Sequence, residues 1–301
     1  MGMVSIKADK HKFAVFQTIY ANADYNMWYD WERRLDDTKW TEECFFVMKD
    51  GVKIGGYIAL DDRICFPFLI SPFQDRGAFW TYLISSCPKR QITGVSHEDA
   101  AFLSGKGYRV VSRNQVMCRP TDSIAAVLPA HFTCSSLSIT EDETYLQSLG
   151  QLIVEGYQGS ICNEIFGEPT RESALEDMMQ VLKTYSKCNL SRVITDRQGT
   201  PAAVCLAGSG EHYLHGYVEI ADLCVLPKYR GMGLATYLIA NTLSSASDKA
   251  PYVKLLVHKG NPAEAIYFRM GFVAGPEFTN LEALPPEAAI DCTTAPEKCF
   301  G

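Results

Sequence analysis

Val225-Leu226-Pro227-Lys228-Tyr229-Arg230-Gly231-Met232-Gly233-Leu234-Ala235-Thr236-Tyr237-Leu238-Ile239 is the stretch on which the reading of this chain turns. The apolar run from Ile220 to Leu226, broken only by Asp222, predicts a buried strand, and the periodic residues after Gly233 predict a helix. Between them lies a turn with two glycines. The first turn of a helix leaves amide donors without intrahelical partners, and the helix dipole adds partial positive charge there, so such a turn is an anion site in waiting. Gly231 and Gly233 keep side chains away from the amides and tolerate positive φ, while Arg230 can bring charge to the rim. The Lys-Ser/Thr of a Walker loop and the third glycine of a dinucleotide fingerprint are both missing.

The pattern V-x-P-x-x-R-G-x-G-x-A resembles the pyrophosphate-binding signature of the GNAT superfamily of acyl-CoA-dependent N-acyltransferases. Downstream, Asn261-Pro262-Ala263-Glu264-Ala265-Ile266-Tyr267-Phe268-Arg269-Met270-Gly271-Phe272 is similar to that family's N-x-x-x-x-x-Y-x-x-x-G-F segment, a short helix closed by a glycine in the left-handed region. The two matches stand in order, with a strand expected from Tyr252 to Val257 between them, and the resemblance is strong over residues 190 to 275.

An echo of both motifs occurs earlier. Pro72-Phe73-Gln74-Asp75-Arg76-Gly77-Ala78-Phe79-Trp80-Thr81-Tyr82-Leu83-Ile84 repeats the Arg-Gly and the Thr-Tyr-Leu-Ile of the later stretch, and Phe102-Leu103-Ser104-Gly105-Lys106-Gly107-Tyr108 echoes the Tyr-x-x-x-Gly-Phe ending. An internal duplication is expected. In the first copy Phe79 and Trp80 fall where the second glycine belongs, and Phe102 replaces Tyr267, so this copy is expected to have lost its cofactor site. The expected fold is α/β with a mixed, mostly antiparallel sheet flanked by helices, as two GNAT-like domains in tandem. Residues 1–126 form the degenerate copy and 135–301 the acetyl-CoA-binding catalytic copy. The two prolines and few charges of residues 119 to 136 mark the boundary.

Composition narrows the function. The 301 residues, 47% of them hydrophobic, suffice for two cores, and a net charge of −7 speaks against a nucleic-acid binder. Eleven cysteines form no C-x-x-C pair, and the six histidines are dispersed, with only His212 and His215 close together, so no metal site is expected. No leader and no apolar run of the ~18 residues that a membrane span needs is visible. A cytoplasmic protein with no membrane or nucleic-acid partner, monomeric or homodimeric, is the expectation.

Elsewhere the pattern predicts amphipathic helices over residues 11 to 35, rich in aromatics up to Trp28 and Trp31, and a hairpin at Asp50-Gly51 leading to a strand from Ile64 to Ile70. It predicts helices around Glu141 to Gly156 and from Glu172 to Tyr185 with Thr170 as N-cap, and a second hairpin around Asp196 to Gly199. A long strand follows from His212 to Val225, and a last one is expected near Ala288 to Cys292.

For acetyl transfer to an amine, a proton must leave an ammonium of pKa near ~10.4, charge on the carbonyl oxygen must be met, and a thiolate must depart. Strict alternation puts Glu219, Ala221, Leu223 and Val225 on one strand face, with His215 on the same face and Asp222 opposite. Glu219, about 13 Å along the strand from Leu223, is the candidate base through a relay water. The resemblance implies Tyr267 as general acid, Asn261 on the pantetheine or phosphate, and a backbone amide near Leu223 for the oxyanion. It also implies that Leu223, Cys224 and Val225 pair with the pantetheine arm, while Arg230, Gly231, Met232, Gly233, Leu234 and Ala235 cradle the diphosphate. By resemblance too, Tyr157, Gln158, Glu164 and Glu168 line the acceptor pocket. The expected activity is transfer of an acetyl group from acetyl-CoA to a primary amine of a small molecule or peptide. A non-catalytic acyl-CoA-binding or scaffold protein is the alternative.

Overall fold

The computed structural model describes residues 2–21, 35, 43–186, 188–209 and 216–285. The aromatic stretch from Tyr25 to Trp31, His212, His215 and the strand expected near Ala288 to Cys292 lie outside these residues. The chain divides into two compact units, residues 1–114 with 276–301 and residues 115–275. This differs from the boundary expected between 126 and 135. Residues 133–136 form a strand of the second unit, and the end of the last strand pairs with a strand of the first.

The first unit contains β1 (Met3–Lys7), α1 (Lys10–Tyr20), β2 (Cys44–Lys49), β3 (Val52–Ala59), β4 (Arg63–Leu69), α2 (Arg76–Ser86), β5 (Gln91–Val95) and α3 (His97–Ser104). It also holds the opening residues of β6 (Tyr108–Pro120) and the closing residues of β13 (Val273–Ala283). Its strands run in the order β1-β2-β3-β4-β5-β13. Asp50 and Gly51, with φ 50° and 81°, make the tight β2–β3 turn, which matches the right-handed twist of the strands. β4 and β5 are parallel and are joined through α2. The aromatic core on one side includes Phe13, Phe46 and Phe68; Phe79, Trp80 and Leu83 anchor the other.

The second unit contains the rest of β6, then β7 (Thr133–Ser136), α4 (Glu143–Tyr157), α5 (Ile161–Phe166), α6 (Arg171–Thr184) and β8 (Cys188–Asn189). β9 (Arg192–Thr195), β10 (Pro201–Ser209), β11 (Tyr217–Val225), α7 (Leu234–Ala246), β12 (Tyr252–His258) and α8 (Ala263–Arg269) follow. The strand order is β6-β12-β11-β10-β9-β7, with β8 pairing to β10 beside β9. Every residue of β10 is buried, as its apolar run from Pro201 to Gly208 requires of a strand covered on both faces. Ala203, Cys205 and Ala207 face the core built on α7, whereas Val204 and Leu206 face the core built on α4 and α6. As expected, Thr170 caps α6, its hydroxyl taking the Ser173 amide at 3.1 Å.

The order strand, helix, parallel strand, helix recurs in both units, as a duplication requires. Sequence pattern placed no strand at β1, β5, β6 or β8, and it misplaced the last one, β13. Gly275 and Pro276 sit inside it and mimic a chain break, although Thr279, Leu281 and Glu282 pair with β5.

Candidate functional site

Two features of β11 shape the site. Its parallel pairing with β12 runs from Tyr217 opposite Tyr252 to Ile220 opposite Leu255 and stops there, although β11 continues to Val225 and β12 to His258. Beyond Ile220 the two strands part, opening the edge of Leu223 to Val225. On the other edge, Ala207 pairs with Ile220 and Leu206 with Asp222, so Ala221 is an extra residue: a β-bulge.

The bulge overturns the period-two reading of this strand. Ile220, Leu223 and Val225 all turn toward the α7 core, while Cys224 joins the core on α4 and α6. Glu219 and Asp222, opposite Gly208 and Leu206, therefore share the α4 side, and Glu219 does not share a face with Leu223. Glu219 is half-buried, and its carboxylate accepts the Tyr185 hydroxyl at 3.3 Å. The Tyr157 hydroxyl, at the end of α4, donates to Asp222. Burial pushes the Asp222 carboxyl up to about 6, against the opposing pull of the Tyr157 hydroxyl and the Leu223 amide; Asp177 adds to the rise. Sequence reasoning ranked Asp222 below Glu219 because a bulge leaves no mark in a single strand's pattern.

At the end of β11 the chain makes a short 3-10 turn, Pro227–Tyr229, then passes through Gly231 and Gly233 at φ 78° and 82°. Only residues without a Cβ adopt this pair of conformations cheaply. Gly233 is the N-cap of α7, and no side chain caps the helix, whereas Asp142 and Thr170 cap α4 and α6. Nothing stands within 4 Å of where a Cβ on either glycine would be. The start of a thirteen-residue helix thus has no side-chain cap and two unobstructed glycines before it, an arrangement that a diphosphate would fit. Leu234 anchors the helix start in the core, Ala235 is half-buried, and Met232 stands 50% exposed. Arg230 is exposed, and its Nη2 donates to the Gly156 carbonyl at 2.5 Å and its Nε to the Val225 carbonyl at 3.3 Å, tying the loop to the end of α4.

Tyr267 lies on α8, 7% exposed, its ring 5.7 Å from that of Phe272. Gly271 at φ 84° ends the helix as expected, and the Phe272 amide bonds back to the Tyr267 carbonyl. Burial lifts the Tyr267 hydroxyl above the ordinary tyrosine range, helped by Cys205, Asp222 and Cys162, so it stays protonated at neutral pH. No hydrogen bond to that hydroxyl is made among the described residues. Asn261 uses its Oδ1 to take the Ala263 amide at 2.9 Å and so starts α8. Gln158, Glu164 and Glu168 are exposed, and Tyr157 meets Asp222 on β11.

The first unit repeats this architecture with its openings filled. Pairing of β4 with β5 ends at Cys65 opposite Thr93, and β4 bulges at Phe66, which takes φ 44°. Phe66 is buried, and its ring lies against Gly94. No glycine loop precedes α2: the helix begins at Arg76, and the Asp75 carboxylate takes the Ala78 amide at 2.9 Å. Arg76 pairs with Asp99 at 2.6 Å, and Asp99 also accepts the Trp80 indole N–H at 2.5 Å. Phe79 and Trp80, expected to obstruct a loop, are instead core residues of α2.

Residues 177–280 match the family model described as acetyltransferase (GNAT) domain. The chain carries a GNAT domain. Among solved structures, a GCN5-related N-acetyltransferase from Sphaerobacter thermophilus is 17% identical with a TM-score of 0.65, over 94% of this chain and 96% of that one. A tandem GNAT protein from the clavulanic acid biosynthesis pathway is 14% identical with a TM-score of 0.53, over 94% and 98%. A GNAT-family acetyltransferase from Colwellia psychrerythraea is 12% identical with a TM-score of 0.52, over 95% and 100%. At these identities the likeness is one of fold, and it spans both units, so the chain has the architecture of two GNAT-like domains in tandem. No curated protein matches the chain. Among the described residues no helix is long and apolar enough to cross a membrane, and no cluster of metal-ligating side chains occurs.

Proposed function

We propose that the second unit transfers an acetyl group from acetyl-CoA to a primary amine, and that the first unit is a GNAT-like domain without a coenzyme site. The observation that carries this reading is the uncapped start of α7, with Gly231 and Gly233 open above it, at the end of the strand whose edge parts from β12. When bound, the coenzyme supplies an activated acyl thioester. The amides of residues 231 to 235 hold its diphosphate, and the edge of Leu223 to Val225 that β12 leaves unpaired takes the pantetheine arm as an added strand would. Asn261 retains its side-chain amide donors for that arm. A backbone amide of the parted edge meets charge on the carbonyl oxygen. The Tyr267 hydroxyl, buried and protonated, gives a proton to the departing sulfur.

In the first unit the Phe66 ring and the Asp75 cap occupy the two places that a coenzyme would need, which supports the reading of a silent copy. Isothermal titration with acetyl-CoA, followed by CoA-release assays on a panel of amines, tests the proposal. One coenzyme per chain and amine-dependent release of CoA are expected. Binding without release in any assay would favour the non-catalytic binder.

A further inference from the structure

We propose that Asp222, held by Tyr157, is the group that takes the proton from the acceptor ammonium, an assignment that rests on the acyl-transfer reading above. The bulge at Ala221 is the first argument, because it turns Asp222 to the α4 side at the place where β11 and β12 have separated. Asp222 is adjacent to Leu223, on the edge assigned to the thioester. Glu219 lies before the bulge in the paired part of the strand, opposite Lys254 and Gly208, and its carboxylate is taken by Tyr185. A residue four places back along a strand is about 13 Å away, against about 3.5 Å for a neighbour.

The second argument is the surroundings. Tyr157 bonds Asp222 from α4, while Cys162 on α5, Asp177 on α6, Cys205 on β10, Tyr267 on α8 and Cys224 on the same strand lie within electrostatic range of it. Arg192 acts on Cys205 and Arg230 on Cys224, while the charged group that acts on Asp222 itself is Asp177. The Tyr157 hydroxyl fixes the carboxylate orientation, and burial sets its acidity close to neutrality, where a base works best. The ammonium gives one proton to Asp222, which passes it to solvent. The amine nitrogen then forms the N–C bond, and the C–S bond breaks with its electron pair on sulfur. The Tyr267 proton goes to sulfur, and the second nitrogen proton restores Tyr267 through water.

The test uses the full chain with acetyl-CoA and four probe amines: spermidine, an amino acid amide, an amino sugar and a lysine peptide. For D222N the expected result is unchanged acetyl-CoA affinity by calorimetry, kcat/KM lowered about 100-fold or more, and loss of the acidic limb of the pH–rate profile. Y157F should move that limb to higher pH, since the phenol hydrogen bond favours the carboxylate. Infrared titration of the ligand-free protein should show a carboxyl band near pH 6 that D222N lacks. A limb that survives in D222N, or that E219Q erases instead, overturns the assignment. So does a parallel loss of coenzyme affinity and activity in D222N. Absence of turnover by the wild-type chain with all four amines removes the acyl-transfer reading together with this one; turnover unimpaired in D222N removes this one alone.

Discussion

The Phe66 ring closes the space over Gly94: a Cβ on that glycine would stand 2.0 Å from a ring carbon. In the first unit the parting of two parallel strands is thus sealed by a phenylalanine at the bulge, where the second unit has Ala221 and Asp222. The same backbone device is closed in one unit and open in the other.

Gly94→Ala should therefore damage the fold and spare the chemistry. The glycine has φ 73°, and the new methyl collides with a buried ring. Overpacking and left-handed strain together cost about 3 kcal/mol. Denaturant melts should show that loss while acetyl-CoA affinity stays within twofold. A folded variant that no longer binds the coenzyme would place the ligand in the first unit.

Gly233→Val should do the reverse. Its Cβ meets open space, so packing is untouched, and the φ of 82° costs about 1–2 kcal/mol. The branched side chain shields the α7 amides, and acetyl-CoA should bind at least tenfold more weakly by calorimetry. Undiminished affinity would remove the anion cradle from the account.

Tyr267→Phe removes a hydroxyl that makes no hydrogen bond among the described residues, so the thermal midpoint should barely move. Turnover should fall about 100-fold while the coenzyme dissociation constant stays within twofold. Steady-state kinetics beside a binding isotherm separate the two. Equal loss in both would make Tyr267 a wall of the pocket rather than a proton donor.

Stability against pH offers a check that needs no substrate. Asp222 ionises near 3.8 in the unfolded chain and near 6 when folded, so between those values the folded state holds the extra proton. Stability then falls as pH rises through that window, and the deficit persists above it. Asp222→Asn, whose amide oxygen still accepts from Tyr157, should be more stable than wild type at pH 7.5 by roughly 1–3 kcal/mol and equal to it at pH 3.5. Thermal melts at the two values decide it. No gain at pH 7.5 would mean that the carboxylate is well solvated.

Much of this architecture was legible in the residue pattern because it rests on local rules. Gly231, Gly233 and Gly271 occur where positive φ is needed, Thr170 and Asp50-Gly51 mark a cap and a turn, and the echo at Arg76-Gly77 announced the first unit. What escaped depends on partners. A bulge exists only relative to the facing strand, so the side on which Asp222 projects is set by Leu206 and Ala207 on β10. Phe66 looks like any apolar strand residue until Gly94 is beside it. The carbonyls of Gly156 and Val225 that hold the Arg230 guanidinium come from elements that its own motif does not reveal.

The final strand carries a practical warning for anyone who wishes to dissect the chain. Residues 276–283 sit with the first unit, and Thr279, Leu281 and Glu282 complete the hydrogen bonding of β5. Scissors applied between residues 126 and 135 would produce an N-terminal fragment with β5 stripped of that neighbour and Leu281 missing from its core. Bare strand edges recruit other copies. Such a fragment should precipitate unless residues 276–285 are supplied in trans or grafted back through a linker.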